Sequence, residues 1–167
     1  AIWNGTAWSP LGVGSFNGVD GPVYALKYHN TNDTNGDDLY IGGSFRWSTE
    51  YDRTSTPAFN ITMWNVGCLP AYNTYCFQPR DLGADGPVYT MDLGGGYLYF
   101  GGAFLAAGYA YDVPAKHVAA FSYGSDQCYS LGAGLTNTVQ DVAVDQRDGH
   151  VYAASQGCDS DDCSASE

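Results

Sequence analysis

Apolar residues fall along this chain in short runs that recur in a fixed order. Residues 23–28 are followed by Leu39-Tyr40-Ile41-Gly42-Gly43-Ser44-Phe45, residues 88–93 by Leu98-Tyr99-Phe100-Gly101-Gly102-Ala103-Phe104, and residues 139–144 by 151–155. Each first run but the third opens on Gly-Pro-Val-Tyr, at Gly21 and again at Gly86. Alternation in the first run places Tyr24, Leu26 and Tyr28 on one face and Val23 and Ala25 on the other, so both faces are largely apolar. The second run is apolar without a break. A strand covered on one side alternates, whereas one sandwiched between neighbours reads as continuous hydrophobics. These runs therefore predict strands in sheets that pack on one another.

Two further strands complete each copy. A third carries Ile2-Trp3, Ile61-Thr62-Met63-Trp64 and Val118-Ala119-Ala120-Phe121, and a fourth ends at Leu11-Gly12, Leu82-Gly83 and Leu131-Gly132. A four-stranded unit of about 50 residues with loop insertions fits the propeller-blade class better than the shorter solenoid repeats. The expected fold is all-β, with about three blade equivalents: a half-blade at 1–14, blades at 21–83 and 86–134, a half-blade at 137–157, and an acidic tail at 158–167. Ring closure takes roughly four blades or more. The complementary halves thus predict completion, either by flanking sequence or by strand addition from another copy. Two copies closing a ring would share about six blades, and a rotation that does not close would give a filament.

The double glycine ending the second strand removes two Cβ atoms and lets another backbone or a large ring approach. The Phe two positions on and the Trp of the third strand are the expected occupants. Ala154-Ser155 replaces the pair in the third copy, which predicts a looser contact there.

Composition agrees with this reading. The 167 residues are 44% hydrophobic and include 22 Gly and 14 Tyr, enough apolar material for a core and a bias away from helix. Eighteen acidic residues against six Lys and Arg give a net charge of −12. A chain so charged repels phosphate backbones and anionic surfaces, so nucleic acid is not an expected partner. No apolar run reaches the roughly 18 residues of a membrane span, and the chain opens on Ala1 without a leader-like segment, as a mature form or an excerpt would.

The phrase Trp8-Ser9-Pro10-Leu11-Gly12, the strand ends in Gly-Gly and the later Trp resemble kelch-type repeats of galactose-oxidase-like propellers. They are more similar still to the Trp/Leu-Gly variants of secreted repeat proteins and fungal cell-pole surface proteins. The resemblance covers the chain to about residue 155. It departs from the kelch pattern in its Tyr spacing and in Cys128, which stands where Trp8 stands in the first copy. It implies a propeller fold but no single function, because propellers host enzymes, adhesins and scaffolds alike.

Five cysteines and three sequons point to an extracellular or cell-surface location. Cys68 with Cys76 and Cys158 with Cys163 bracket loops as local disulfide staples would, although the sequence leaves the pairing open. Cys128 is then left over, either as a free thiol or as a bond to another chain. The sequons place candidate glycans on Asn4, Asn32 and Asn60. Of these, Asn60 leads directly into an apolar strand.

Asp33, Asn35 and Asp37 space oxygen ligands around a glycine turn and are similar to calcium loops of integrin-type propellers. The ninth position of that pattern would be Ile41, which cannot ligate, so no cofactor is expected and calcium is the one candidate ion. Tyr51, Tyr72, Tyr75, Tyr109 and Tyr111 lie in the insertions and are candidates for stacking on sugars. Neither a GxSxG elbow nor an HExxH is present, and His29, His117 and His150 sit near strand ends where surface roles are usual. The sequence thus predicts no enzyme. It predicts a structural or adhesive glycoprotein module that joins copies of itself or flanking blades into a larger propeller or filament, with a carbohydrate-binding propeller as the alternative and a secreted hydrolase or oxidase ranked third.

Overall fold

The computed structural model describes residues 1–11, 18–31, 37–49, 55–66, 76–78 and 80–157. The chain is all-β, with no helix among these residues. From the N-terminus, β1 (Ile2–Trp3) pairs with β2 (Trp8–Ser9) as a hairpin. Next come β3 (Gly18–Val19), β4 (Val23–His29), β5 (Asp38–Gly43), β6 (Trp47–Thr49), β7 (Ser55–Pro57), β8 (Ile61–Asn65) and β9 (Phe77–Gln78). Strands β4-β5-β8-β9 form an antiparallel meander, while β3-β6-β7 form a small separate sheet.

The same plan is then repeated. It runs through β10 (Val88–Gly94), β11 (Tyr97–Gly102), β12 (Ala106–Ala107), β13 (Val113–Pro114), β14 (Val118–Ser122) and β15 (Gln127–Ser130). Here the meander is β10-β11-β14-β15, and β12-β13 is a separate hairpin inserted between the second and third strands. Finally β16 (Val139–Val144) pairs with β17 (Val151–Ser155).

Register shows how closely the copies agree. Leu39 faces Trp64 and Leu98 faces Phe121 across the second and third strands. Across the third and fourth strands, Trp64 faces Phe77 and Phe121 faces Cys128, as Trp3 faces Trp8 in the N-terminal hairpin. The first strand slips register after its opening Val in all three copies, between Val23 and Ala25, Val88 and Thr90, and Val139 and Asp141. A bulge of this kind carries one extra residue and resets the alternation beyond it. The simple alternation that separates Val23 from Leu26 is therefore corrected: in the second copy Val88 and Met91 both approach Gly42, so the opening Val and the apolar residue three positions on share one face.

The glycine pair has two different jobs. A Cβ on Gly42 would lie 2.8 Å from Val88 Cγ1 and 3.4 Å from Met91 Cε, and a Cβ on Gly101 would lie 3.0 Å from Val139 Cβ. The first glycine is thus the seat of a valine from the next sheet. Cβ atoms on Gly43 and Gly102 would collide with the carbonyls of Pro22 and Pro87 in the same copy. Those carbonyls accept the Ser44 and Ala103 N–H groups at 2.8 and 2.9 Å, and Thr138 accepts from Gln156 in the third copy at 3.1 Å. The expected approach of a Phe is seen at Gly43, where the Phe45 ring would sit 3.0 Å from the added carbon.

Strand β10 packs against both β4 and β16, so the two meanders and the last hairpin stack in chain order. The largest core lies between the meanders and includes Tyr40, Met63, Val88, Phe100, Phe104 and Phe121. Ile41, Phe45, Trp64 and Phe77 fill the other side of the first meander, and Val118, Val139 and Val142 lie under the last hairpin. Alternation along β5 thus sends Tyr40 and Ile41 into different cores. The fourth strands stop earlier than predicted, at Ser9, Gln78 and Ser130. The Leu of each Leu-Gly phrase turns inward instead: Leu82 is buried, and Leu11 and Leu131 pack beneath the other two clusters.

Candidate functional site

The two outer surfaces of the stack are unlike its internal junctions. Inside, Val88 is 0% and Met91 8% exposed, while their counterparts on β4, Val23 and Leu26, are 44% and 60% exposed. Val23, Leu26, Leu39 and Ile41 face a cavity of about 560 Å³. Its other wall includes Ala1 and Trp8 of the N-terminal hairpin together with Pro10 and Leu11 just beyond it. Trp3 and Trp8 meet at a tilt of 46° with ring centroids 5.4 Å apart, yet Trp8 remains 70% exposed. At the other end, β17 has β16 as its only strand neighbour among the described residues, and Tyr152, Ala153 and Ala154 are exposed.

Side chains protect the backbone at the internal junction between β10 and β16. Thr90 Oγ1 accepts the Val142 N–H at 3.1 Å and donates to Asp141 Oδ1 at 2.9 Å. Asp92 Oδ2 accepts the Val144 N–H at 2.7 Å, and its Oδ1 meets Lys27 Nζ of β4 at 2.6 Å. Burial pushes the Asp92 carboxyl up, but the Lys27 hydrogen bond and charge and the N–H groups of Val144 and Leu93 outweigh it and hold the group below the ordinary carboxylate range.

A polar cleft of about 610 Å³ opens at the end of the first two meanders where the Gly-Pro phrases begin. Asp20 and Asp85 line it from matching positions. Asp20 Oδ1 accepts the N–H groups of Arg46 and Trp47 at 2.8 and 2.9 Å, and Asp85 Oδ1 accepts those of Leu105 and Ala106 at 2.8 and 3.0 Å. Arg46, Phe59, Asn60 and Tyr111 complete the wall. Neither Asp was singled out from the sequence. The signal was there, because the repeated phrase is Asp-Gly-Pro-Val and not only Gly-Pro-Val-Tyr.

The predicted residues distribute unevenly over these features. Tyr109 and Tyr111 both meet Phe59 edge to face, with ring centroids 5.2 Å apart, and Tyr111 lines the cleft. Tyr51, Tyr72 and Tyr75 lie outside the described residues, as do Asn32, Asp33, Asn35, Cys68, Cys158 and Cys163. Asp37 accepts hydrogen bonds from the Tyr28 hydroxyl and from the Thr31 N–H, the latter at 3.1 Å. No group of three or more His, Cys, Asp or Glu side chains gathers among the described residues. Asn4 sits exposed at the N-terminal hairpin turn, where its Oδ1 accepts from Thr6 and Ala7 N–H groups at 2.9 Å each. Asn60 is more engaged: its Oδ1 accepts the Phe45 N–H at 3.2 Å and its Nδ2 donates to Ala84 O at 2.8 Å.

Cys76 is buried and disulfide-bonded. Cys128 is a free thiol buried in the largest core, with its Sγ donating to Asp81 O at 3.3 Å. Burial first, and the Asp81 carboxylate after it, push this thiol up to about 12. It is protonated at neutral pH, and its burial removes it from contact with another chain. The histidines differ from expectation too, since His29 and His117 each hold a buried Nδ1 without a hydrogen-bond partner among the described residues. His150 fits the surface reading, with its Nδ1 2.7 Å from Asp148.

No protein-family model, no curated protein and no solved structure matches this chain. No helix among the described residues is long and apolar enough to cross a membrane.

Proposed function

We propose that this chain is a non-enzymatic extracellular structural or adhesive module, made of kelch-like propeller blades, that assembles when its open surfaces are completed by another copy. The observation that carries the reading is the apolar gap between the N-terminal hairpin and the first meander. Its floor is the β4 face, whose equivalents on β10 and β16 are covered by a preceding sheet. The hairpin β1-β2 has the register of a third and fourth strand, and β16-β17 has that of a first and second. A β16-β17 hairpin entering the gap would supply the two missing strands.

Transferring the internal registers to this junction places Val151 opposite Trp3 and Tyr152 opposite Ile2, with Val23 seated on Ala154. Strand addition supplies backbone hydrogen bonds and the seated side chains supply register. The exposed Asn4 at the hairpin turn and the cysteine usage support the extracellular assignment, with glycan on the solvent side of the assembly.

Sedimentation velocity across a wide concentration range tests the proposal. Oligomers that fall apart in a Leu26→Asp variant are the expected result, and a monomer at every concentration refutes assembly through copies. A finer test mixes separately purified Ile2→Cys and Tyr152→Cys chains under mild oxidation. Directly paired strand residues lie about 4.5–5.5 Å apart at Cα, within disulfide reach. Cross-linked heterodimers are expected, and their absence in an assembling protein would refute this register.

A further inference from the structure

We propose that the polar cleft between the first two meanders binds a neutral pyranose sugar. Three kinds of group converge there, and each matches one part of such a ligand. Tyr111 and Phe59 offer aromatic surface for the apolar C–H face of the ring, with Tyr111 still 38% exposed. Asp20 and Asp85 each spend Oδ1 on two backbone N–H groups, and no hydrogen bond among the described residues uses Oδ2 of either. An ionised carboxylate accepts at both oxygens, so each Asp is held rigidly by one oxygen while the other is available to a hydroxyl. Arg46 brings donors, and no ion pair or hydrogen bond takes up its guanidinium among the described residues.

Backbone geometry adds to this convergence. Phe59, Asn60 and Tyr111 adopt positive φ, at 39°, 68° and 56°, in a region that non-glycine residues enter at a cost. All three line the same cleft. Tyr111 also senses the charges beside it: burial raises its hydroxyl pKa, Arg46 lowers it and Asp85 raises it. A roomy cleft with a few fixed polar groups and aromatic walls is the usual form of a small-ligand site.

Charge selects the ligand class. Two carboxylates disfavour an anionic sugar or a phosphate, and Arg46 opposes a quaternary ammonium in an aromatic cage. A neutral ring with several hydroxyls uses both signs at once. The assembly reading is not needed for this site, because every lining residue lies between Asp20 and Tyr111, outside the hairpins β1-β2 and β16-β17.

The test is NMR titration of the full chain with methyl β-D-galactopyranoside, methyl β-D-glucopyranoside and methyl α-D-mannopyranoside, each to tens of millimolar. Expected are saturation transfer concentrated on one face of a sugar ring and shifts at Arg46, Tyr111 and Asp85 amides. Asp85→Asn keeps the Oδ1 acceptor and so the fold, and is expected to weaken binding at least fivefold. Tyr111→Ala is expected to abolish it, and Tyr111→Phe, which keeps the ring, to retain most of it. No shift with any of the three glycosides, binding unchanged in both Asp85→Asn and Tyr111→Ala, or preferential binding of tetramethylammonium would overturn the proposal.

Discussion

Replacing Gly42 with Ala while trimming Val88 to Ala isolates the contact that joins one sheet to the next. The added Cβ lies 2.8 Å from Val88 Cγ1 and 3.3 Å from its Cβ. Carbon atoms prefer about 3.5–4.0 Å, and Val is stiff at χ1, so the sheets must separate slightly. Overpacking of this size costs about 1–3 kcal/mol, offset in part by about 0.5–1 kcal/mol because Gly is intrinsically poor in a strand. Val88→Ala alone removes two methyl groups from a fully buried side chain, about 1.6 kcal/mol of transfer free energy plus a cavity term. In the double variant the new methyl enters space the two lost methyls vacate. The strand-propensity gain is present with either residue at 88 and cancels in the cycle. The double variant should therefore be about 1–2 kcal/mol more stable than the two single effects predict, within the range for residues in contact. Urea unfolding reads this directly, as a midpoint about 0.5–1 M above the additive value for a slope near 2 kcal/mol/M. Additivity to within about 0.5 kcal/mol would mean that valine and glycine do not meet, and the stacking argument would fall.

Three further outcomes rest on the same geometry. Asp85→Ala should destabilise the fold by about 1–3 kcal/mol by stranding the Leu105 and Ala106 N–H groups, while Asp85→Asn should be nearly neutral in the same urea assay. Cys128 should resist a thiol reagent such as DTNB in the native chain and react at once in denaturant, because its thiol is buried and its pKa is raised to about 12. Asp92 has a depressed folded pKa, so its contribution is complete above the ordinary carboxylate value near 3.9 and is lost as pH falls through the lower folded value. The stability gap between wild type and Asp92→Asn should accordingly be constant from about pH 5 to 7 and close in more acidic buffer; a gap that widens on acidification would reverse the assignment.

The all-β class and the strands of the repeated unit were legible because the repeat supplies the same message several times, whereas β3, β6-β7 and β12-β13 lie in the insertions and were not. Leu-Tyr-Ile-Gly-Gly and Leu-Tyr-Phe-Gly-Gly became β5 and β11 with closely similar bounds. The bulge after Val23, Val88 and Val139 was not legible, since one extra residue in a run apolar on both faces leaves no break in the pattern. Nor was the occupant of the glycine seat: closeness of approach can be read from Gly42, but the Val88 that fills it lies 46 positions away on another sheet. At the cleft, tyrosine-rich insertions pointed to Tyr109 and Tyr111. Their partners Phe59, Asp20, Asp85 and Arg46 come from four other segments, which only the stacking of the two meanders brings together.

The proposed association of so acidic a chain with itself needs a reason for the charge not to prevail. With a net charge of −12, two copies repel at long range. That repulsion is screened over roughly 8 Å at physiological ionic strength, whereas burial of an apolar face is felt on contact and does not weaken with salt. The exposed residues proposed to meet are uncharged: Val23, Leu26, Trp3 and Trp8 on one side, Tyr152, Ala153 and Ala154 on the other. Lys27, one of only six Lys and Arg residues, already stands at the neighbouring internal junction, where it meets Asp92. Acidic residues elsewhere then act against random contacts and leave the apolar ends as the favourable meeting. On this argument salt strengthens association, the opposite of what an interface built on ion pairs would do.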